Sequence, residues 1–345
     1  MKTSDFDYHL PQTLIAQTPM EPRDRSRMMA VSRETGAFRH RRFDYLPELL
    51  RSGDVLVFND SRVFPARLYG KRTSTGGSVE LLLLNRLSPG VWRALARPGR
   101  RMRAGAAFEV LGTDGEEGIR GEVLHVEPDG ARTVKLSGEE RLERVGVVPL
   151  PPYIHESLAD PERYQTVYAR VEGSVAAPTA GLHFTAELLE RVRSQGVETV
   201  FVTLHVGWDS FRPVKAERPA SHKMHSEYWE LTQEAADAVN RAKREGRRVI
   251  SVGTTAVRLL EQAAALGRDP DGLLSPGSGW ADLFILPGFR FRVVDGLLTN
   301  FHLPRSTLLM LTCAFAGRDL VLDAYRQAVD RRYRFYSFGD CMLIA

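Results

Sequence analysis

Cysteine is scarce in this chain: Cys313 and Cys341 are the only two in 345 residues. That is too few for a disulfide framework and the wrong spacing for a thiolate metal site, so both read as reduced thiols. Long apolar runs are missing too. Nothing approaches the roughly 20 residues that cross a bilayer, and Met1–Leu10 carries Asp5, Asp7 and His9 where a secretory leader would be apolar. The expectation is a cytoplasmic, monomeric protein with no membrane partner. No Walker loop, Gly-x-Gly-x-x-Gly turn or Gly-x-Ser-x-Gly elbow is present, which argues against nucleoside-triphosphate and hydrolase chemistry. Nor does one sign of charge dominate: 47 Lys and Arg against 43 Asp and Glu leave +4, which permits a polyanionic partner without requiring one.

What the chain does have is a set of polar loops placed before helical patterns. In Ala177-Pro178-Thr179-Ala180-Gly181-Leu182-His183-Phe184-Thr185, Pro178 disfavours helix in the residue before it and Gly181 permits backbone angles closed to other residues. Thr185 can cap a helix running through Val192, and His183 can exchange protons near neutral pH. An ordinary connector with a satisfied histidine is the plainer alternative.

At 345 residues the length prior gives about two domains. A strand over Asp54–Asn59 ends in Asn59-Asp60-Ser61-Arg62, where ligand groups often gather. From about Ala66 to Val148 short apolar or alternating runs are separated by Gly, Asp and Pro (Val79–Leu84, Val91–Leu95, Ala107–Leu111, Ile119–Val126, Arg132–Leu136), the texture of a small barrel or sandwich. Strand-then-helix order follows: a β-branched strand over Val197–Leu204, a helix around Gln233–Glu245, a strand over Arg247–Gly253, a helix from Thr254 through Ala263, and helices over Ser306–Ala316 and Leu320–Arg331. The expected fold is an α/β main domain, residues 1-60 and 150-345, interrupted by an all-β barrel-like domain, residues 61-149.

Four more clusters carry chemistry. Thr254 and Thr255 open a helix after a strand and either cap it or receive a carboxylate or phosphate there. His205-Val206-Gly207-Trp208-Asp209-Ser210-Phe211 ends a strand with an imidazole, a carboxylate and aromatic faces, suited to a heteroaromatic ligand or simply to covering the core. Ser221-His222-Lys223-Met224-His225-Ser226-Glu227-Tyr228-Trp229 concentrates exchangeable protons. Its His-x-x-His spacing has no cysteine and no evident third ligand, so no metal is assigned. Thr299-Asn300-Phe301-His302-Leu303-Pro304-Arg305 brings His302 and Arg305 to the approach of a further helix. Three basic clusters add to these: Arg97, Arg100, Arg101 and Arg103; His40, Arg41 and Arg42; and Arg331, Arg332 and Arg334 interleaved with Tyr333, Phe335 and Tyr336. The last combines guanidinium groups for phosphates with aromatic faces for splayed bases, although a solvated helix end would look the same.

Taken in order, Asp5-Phe6-Asp7-Tyr8, Leu14-Ile15-Ala16-Gln17, Arg23-Asp24, Ser26-Arg27, Asn59-Asp60-Ser61-Arg62-Val63, Pro65-Ala66-Arg67, Tyr164-Gln165-Thr166-Val167-Tyr168-Ala169, the loop around His183, Leu204-His205-Val206-Gly207, Met224-His225-Ser226-Glu227, Gly253-Thr254-Thr255, Arg258, Thr299-Asn300-Phe301-His302-Leu303-Pro304 and Tyr336-Ser337-Phe338-Gly339-Asp340 resemble the S-adenosylmethionine:tRNA ribosyltransferase-isomerase family of queuosine biosynthesis from end to end. The resemblance implies that the ribosyl part of S-adenosylmethionine is transferred and isomerised onto 7-aminomethyl-7-deazaguanine at the tRNA wobble position. Epoxyqueuosine forms, and adenine and methionine are released; S-adenosylmethionine is a consumed substrate and no cofactor is needed. It further implies His183, His205, His225 and Glu227 as acid-base candidates, with Thr254, Thr255 and Arg258 for the methionyl carboxylate. Asn59, Asp60, Ser61 and Arg62 would bind ribose or base, Thr179, Gly181, Asn300 and His302 would line the substrate site, and Arg331, Arg332, Tyr333 and Arg334 would meet the anticodon loop. The rivals are a noncatalytic structured-RNA-binding protein and an S-adenosylmethionine-dependent RNA methyltransferase, for which the expected Gly-rich loop is not evident.

Overall fold

A computed structural model describes residues 1–112, 118–208, 214–222, 224, 226–267 and 273–345. In chain order, β1 (Arg27–Val31), β2 (Phe38–Arg42) and β3 (Val55–Asn59) come first. The short β4 (Ser61–Val63) precedes β5 (Arg67–Arg72), β6 (Ser78–Ser88), β7 (Val91–Arg97), β8 (Ala107–Val110), β9 (Ile119–Val126) and β10 (Arg132–Ser137). After the single turn α1 (Leu142–Val145) and β11 (Val171–Ser174), the order alternates: α2 (Ala186–Ser194), β12 (Glu198–Leu204), β13 (Glu227–Leu231), α3 (Gln233–Arg244), β14 (Val249–Val252), α4 (Thr254–Leu266), β15 (Gly277–Ala281) and β16 (Gly296–Asn300). Helices α5 (Thr307–Ala316) and α6 (Arg318–Asp330) and strand β17 (Cys341–Ile344) end it.

These elements form two compact units, one of residues 1–61, 152–171 and 177–345, the other of residues 62–151 with 172–176. The larger unit is built on a nine-stranded mixed sheet in the order β15-β13-β12-β3-β14-β16-β17-β1-β2. Four consecutive strands of it, β12, β3, β14 and β16, run parallel. Parallel strands are covered on both faces, which is why Val55–Asn59 and Val249–Val252 are continuous buried runs rather than alternating ones. On one face Phe43, Phe58, Phe184, Leu188 and Leu343 belong to a single buried apolar cluster. Fully burying side chains of this size contributes roughly 1.5–3 kcal/mol each.

The smaller unit is a closed barrel, β10-β7-β6-β5-β8-β9, with every neighbouring pair antiparallel. Leu68, Leu81, Leu83, Ala94, Phe108, Ile119, Val123 and Val134 are buried within this unit. An α/β domain with an all-β barrel is thus the fold. Several strands had no legible pattern: β5 reads Arg-Leu-Tyr-Gly-Lys-Arg and buries only Leu68, and β13 lies in a stretch taken for a polar cluster. Thr299 and Asn300, expected in a loop, are the last two residues of β16. Among the described residues no helix is long and apolar enough to cross a membrane.

Candidate active site

Because β12, β3, β14 and β16 are parallel, their carboxyl ends lie along one edge of the sheet, the edge where open α/β sheets gather ligands. A cleft opens there, lined by Pro178 and Thr179, Val206 after β12, Gly253, Thr254, Thr255 and Arg258 after β14, and Asn300 and His302 at the end of β16. Gly253 is the N-cap of α4, with φ +95°, a conformation that L side chains rarely adopt. No side chain caps this helix. The two threonines, for which capping and ligand binding were both open, therefore sit inside the first turn. The Thr255 hydroxyl is buried without a hydrogen-bond partner. A first turn with uncapped amides and a positive dipole end is suited to an anionic group in the cleft.

Behind the cleft the Thr179–His183 turn carries a different kind of network. Ser26 Oγ donates to the Arg23 carbonyl (3.2 Å), so at 2.7 Å it accepts from His183 Nδ1–H. His183 Nε2 then accepts from Asn300 Nδ2 (3.3 Å), whose other hydrogen goes to the Tyr336 carbonyl (3.1 Å), while Thr179 Oγ1 donates to Asn300 Oδ1 (3.2 Å). Every proton in this chain has a place only if His183 is neutral. Burial, and then the charges of Arg334 and Arg23, push its pKa down to about 3. Tyr336 holds φ +71°, unusual for a bulky residue, and thereby aims its carbonyl at Asn300. Arg23, Ser26, Arg163, His183 and Ser337 line a second, small pocket.

Gly181 lines neither pocket. A Cβ there would stand 1.9 Å from the Tyr168 hydroxyl oxygen and 2.8 Å from Thr166 Cγ2. Its φ is not positive, so close packing rather than backbone freedom requires glycine, a correction to the sequence reading. Thr185 caps α2 as expected, accepting from Leu188 N–H at 3.1 Å.

Several residues expected to touch substrate are engaged inside the protein. The Asn59 amide brackets Leu204, donating to its carbonyl (2.8 Å) and accepting from its N–H (3.0 Å), and so pins the end of β12 to β3. Asp60 accepts from Thr203 Oγ1 (2.7 Å) and Arg170 Nη2 (2.8 Å). Ser61 is fully buried, and Arg62 belongs to the barrel unit. Glu227, an acid-base candidate, is buried against the Arg258 guanidinium and accepts from Gly207 N–H at 2.8 Å. Arg258 also donates to the Leu283 and Ala281 carbonyls, so it reaches the cleft as a held side chain. His302 is bonded to Thr299 Oγ1 (2.8 Å), and burial lowers its pKa to about 3. His205 stacks on Tyr228 with centroids 5.9 Å apart, and its buried Nδ1 lacks a hydrogen-bond partner among the described residues. Its neighbour Val206, not His205, lines the cleft. His225, Lys223 and Asp209-Ser210-Phe211 lie outside the described residues.

Two of the three basic clusters come together: Arg27, His40, Arg41, Arg42, Arg331 and Tyr333 surround a cleft of about 900 Å³. Arg331 and Arg332 are exposed. Tyr333, expected to stack on bases, is 1 % exposed, with the Arg27 guanidinium 4.3 Å from its ring and its hydroxyl 2.8 Å from His40 Nδ1. The protein itself covers that ring. Arg334 is half-buried and donates to the Thr18 carbonyl. The remaining cluster, around Arg100, belongs to the barrel unit. Sequence reasoning quoted Arg23 and Ser26 for the family resemblance but gave neither a place in the site, since one serine and one arginine in a turn form no spacing pattern.

Fold and site together define an α/β enzyme interrupted by a β-barrel, with a polar cleft at the carboxyl ends of parallel strands. The chain belongs to the queuosine biosynthesis protein family, whose model matches residues 3–344. It is 55% identical over 348 residues to the S-adenosylmethionine:tRNA ribosyltransferase-isomerase of Symbiobacterium thermophilum and 54% identical over 344 residues to that of Dehalococcoides mccartyi, covering 100% of each chain in both cases. A crystal structure of S-adenosylmethionine tRNA ribosyltransferase from Thermotoga maritima is 39% identical, with a TM-score of 0.57 over 99% of this chain and 100% of that one.

Proposed function

We propose that this chain is a transferase that moves and isomerises the ribosyl moiety of S-adenosylmethionine onto 7-aminomethyl-7-deazaguanine at the tRNA wobble position, giving epoxyqueuosine-tRNA, adenine and methionine. The sulfonium acidifies the ribose 5′ carbon, from which a base takes a proton. The C5′–H electron pair forms a C4′=C5′ double bond and breaks C4′–O4′, O4′ becomes the C1′ aldehyde oxygen, and the C1′–adenine bond breaks as the purine takes up a proton. The aminomethyl nitrogen adds to C4′ and gives up a proton, C5′ bonds to C1′, and the C1′ oxygen closes the epoxide on C5′ as the C5′–S bond breaks and neutral methionine leaves. The observation that carries this reading is the uncapped first turn of α4 at the parallel strand ends, with the Thr255 hydroxyl buried and unpartnered. It receives the methionyl carboxylate on the amides and hydroxyls of Thr254 and Thr255, beside an Arg258 whose charge is balanced by Glu227. Thr179, Asn300 and His302 form the opposite wall and face the ribose.

His183 acts in this scheme as a neutral imidazole. With its pKa near 3 it holds no proton at Nε2 for the departing adenine, so its role is to accept a proton or to hold Asn300 in place. His183→Gln separates the two: adenine release slowed by about 10²–10⁴-fold in single turnover fits a proton acceptor, whereas a near-normal rate assigns positioning. The reaction itself is tested by product identity. Wild-type protein with S-adenosylmethionine and tRNA carrying the aminomethyl base yields adenine and methionine. S-adenosylhomocysteine instead would mean methyl transfer, and no product at all would mean RNA binding without catalysis.

A further inference from the structure

The edge of the sheet far from α4 carries a second feature that the ribosyl chemistry does not use. Strand β2 is the outer strand, and its residues His40, Arg41 and Arg42 face the Arg331–Arg332 turn that follows α6, although some 290 residues of chain separate the two. Between them lies the cleft of about 900 Å³. Arginine on an exposed edge strand also deters pairing with other chains, and that alone would explain β2. It does not explain the second group, which is on no strand.

The cations divide into those already neutralised and those that are not. Arg27 pairs with the buried Asp340 carboxylate and donates to the Arg331 and Arg332 carbonyls, and Arg42 pairs with Asp44. Arg41, Arg331 and Arg332 have no carboxylate partner among the described residues, and all three are exposed. Arg41 lies over the Tyr45 ring at 5.3 Å, which fixes its direction without lowering its charge. Arg332 holds φ +55°, and its carbonyl is tied to Arg27, so the turn that presents both free arginines is anchored from below. Anchored, unpaired guanidinium groups on two sides of an open groove suit a polyanion that runs through it. The Tyr333 ring in the groove is closed to a base by Arg27, His40 and Phe301.

We infer that this groove is a track for the sugar–phosphate backbone of the RNA substrate, gripped by Arg41 from one side and by Arg331 from the other. The inference rests on the proposed RNA substrate and adds where its phosphates lie. It assigns contacts that position the RNA without reading its bases.

The test is binding of tRNA carrying the aminomethyl base to wild type and to the Arg41→Glu/Arg331→Glu double variant, at a series of salt concentrations. Each lost phosphate contact removes about 0.7–0.9 from the slope of log K against log salt. The expected result is a Kd raised by about 10–100-fold at 0.1 M salt and a slope smaller by about 1.5, with a melting temperature within about 2 °C of wild type. An unchanged Kd and slope would overturn the inference. A variant that melts early is replaced by Arg41→Ala/Arg331→Ala, since the turn carrying Arg331 is held by its carbonyls rather than its side chains. Failure of the underlying reading looks different: wild-type protein itself would release no adenine.

Discussion

On one side of the Thr179–His183 turn, a helix begins on a glycine and a threonine hydroxyl has nothing to bond. On the other side, a histidine has both ring nitrogens engaged and a serine, an asparagine and two carbonyls complete the chain. Both sides are rich in the polar residue types that suggest catalysis. The first leaves a hydroxyl without a partner inside the protein, while in the second each of these groups already has one. Residue type alone cannot separate a group that binds from a group that positions; the hydrogen-bond partners can.

That contrast can be broken most forcefully at Arg258, which touches the cleft yet belongs to the internal network. Arg258→Met leaves the Glu227 carboxylate buried without its cation, and a loss of about 3–5 kcal/mol in urea unfolding is expected. A variant as stable as wild type would put Arg258 with the ligand-facing groups instead. Next is Gly181→Ala, for which overpacking against Tyr168 and Thr166 should destabilise by about 1–3 kcal/mol; an unchanged melting curve would sink the packing explanation.

The third test uses pH. His183 and His302 have folded pKa values near 3, below the unfolded value of about 6.5, so between these limits the unfolded chain binds more protons. The stability they confer is complete above about pH 6.5. It falls as the pH drops toward 3, at up to about 1.4 kcal/mol per pH unit for each histidine. Stabilities measured at pH 7.5, 6 and 5 that do not decline would contradict neutral, buried imidazoles. The smallest effect belongs to Thr255→Val, which removes a hydroxyl without a partner. Stability should stay within about 0.5 kcal/mol, because no bond is broken. The KM for S-adenosylmethionine should rise about tenfold, equivalent to about 1.4 kcal/mol, and an unchanged KM would remove the hydroxyl from the site.

Much of the fold was legible. Strands β9 and β12, helix α3 and helix α4 carry clear periodicity, and their bounds fall within a few residues of expectation. Strands β1, β2 and β17 did not announce themselves, because four or five residues are too few for a pattern and β2 is nearly all basic. The site was legible as loops: the strings around Thr179, Thr254 and Asn300 do meet in one cleft. Their roles were not, because Asn59 and Asp60 look as ligand-ready in sequence as Thr254. The difference comes from residues more than 100 positions away, Thr203 and Leu204, which take up their hydrogen bonds.

Strand β17 lies between β16 and β1. It also follows every other described strand in the chain, so without it the sheet divides into a block of six strands and a separate pair, β1 with β2. Cys341–Ile344 joins them. The same segment's neighbour, Asp340, clasps Arg27 and the Arg334 amide, so the basic turn and the β1–β2 pair acquire their final positions together. The arginine-lined groove between β2 and the Arg331–Arg332 turn is thereby tied to the placement of β17.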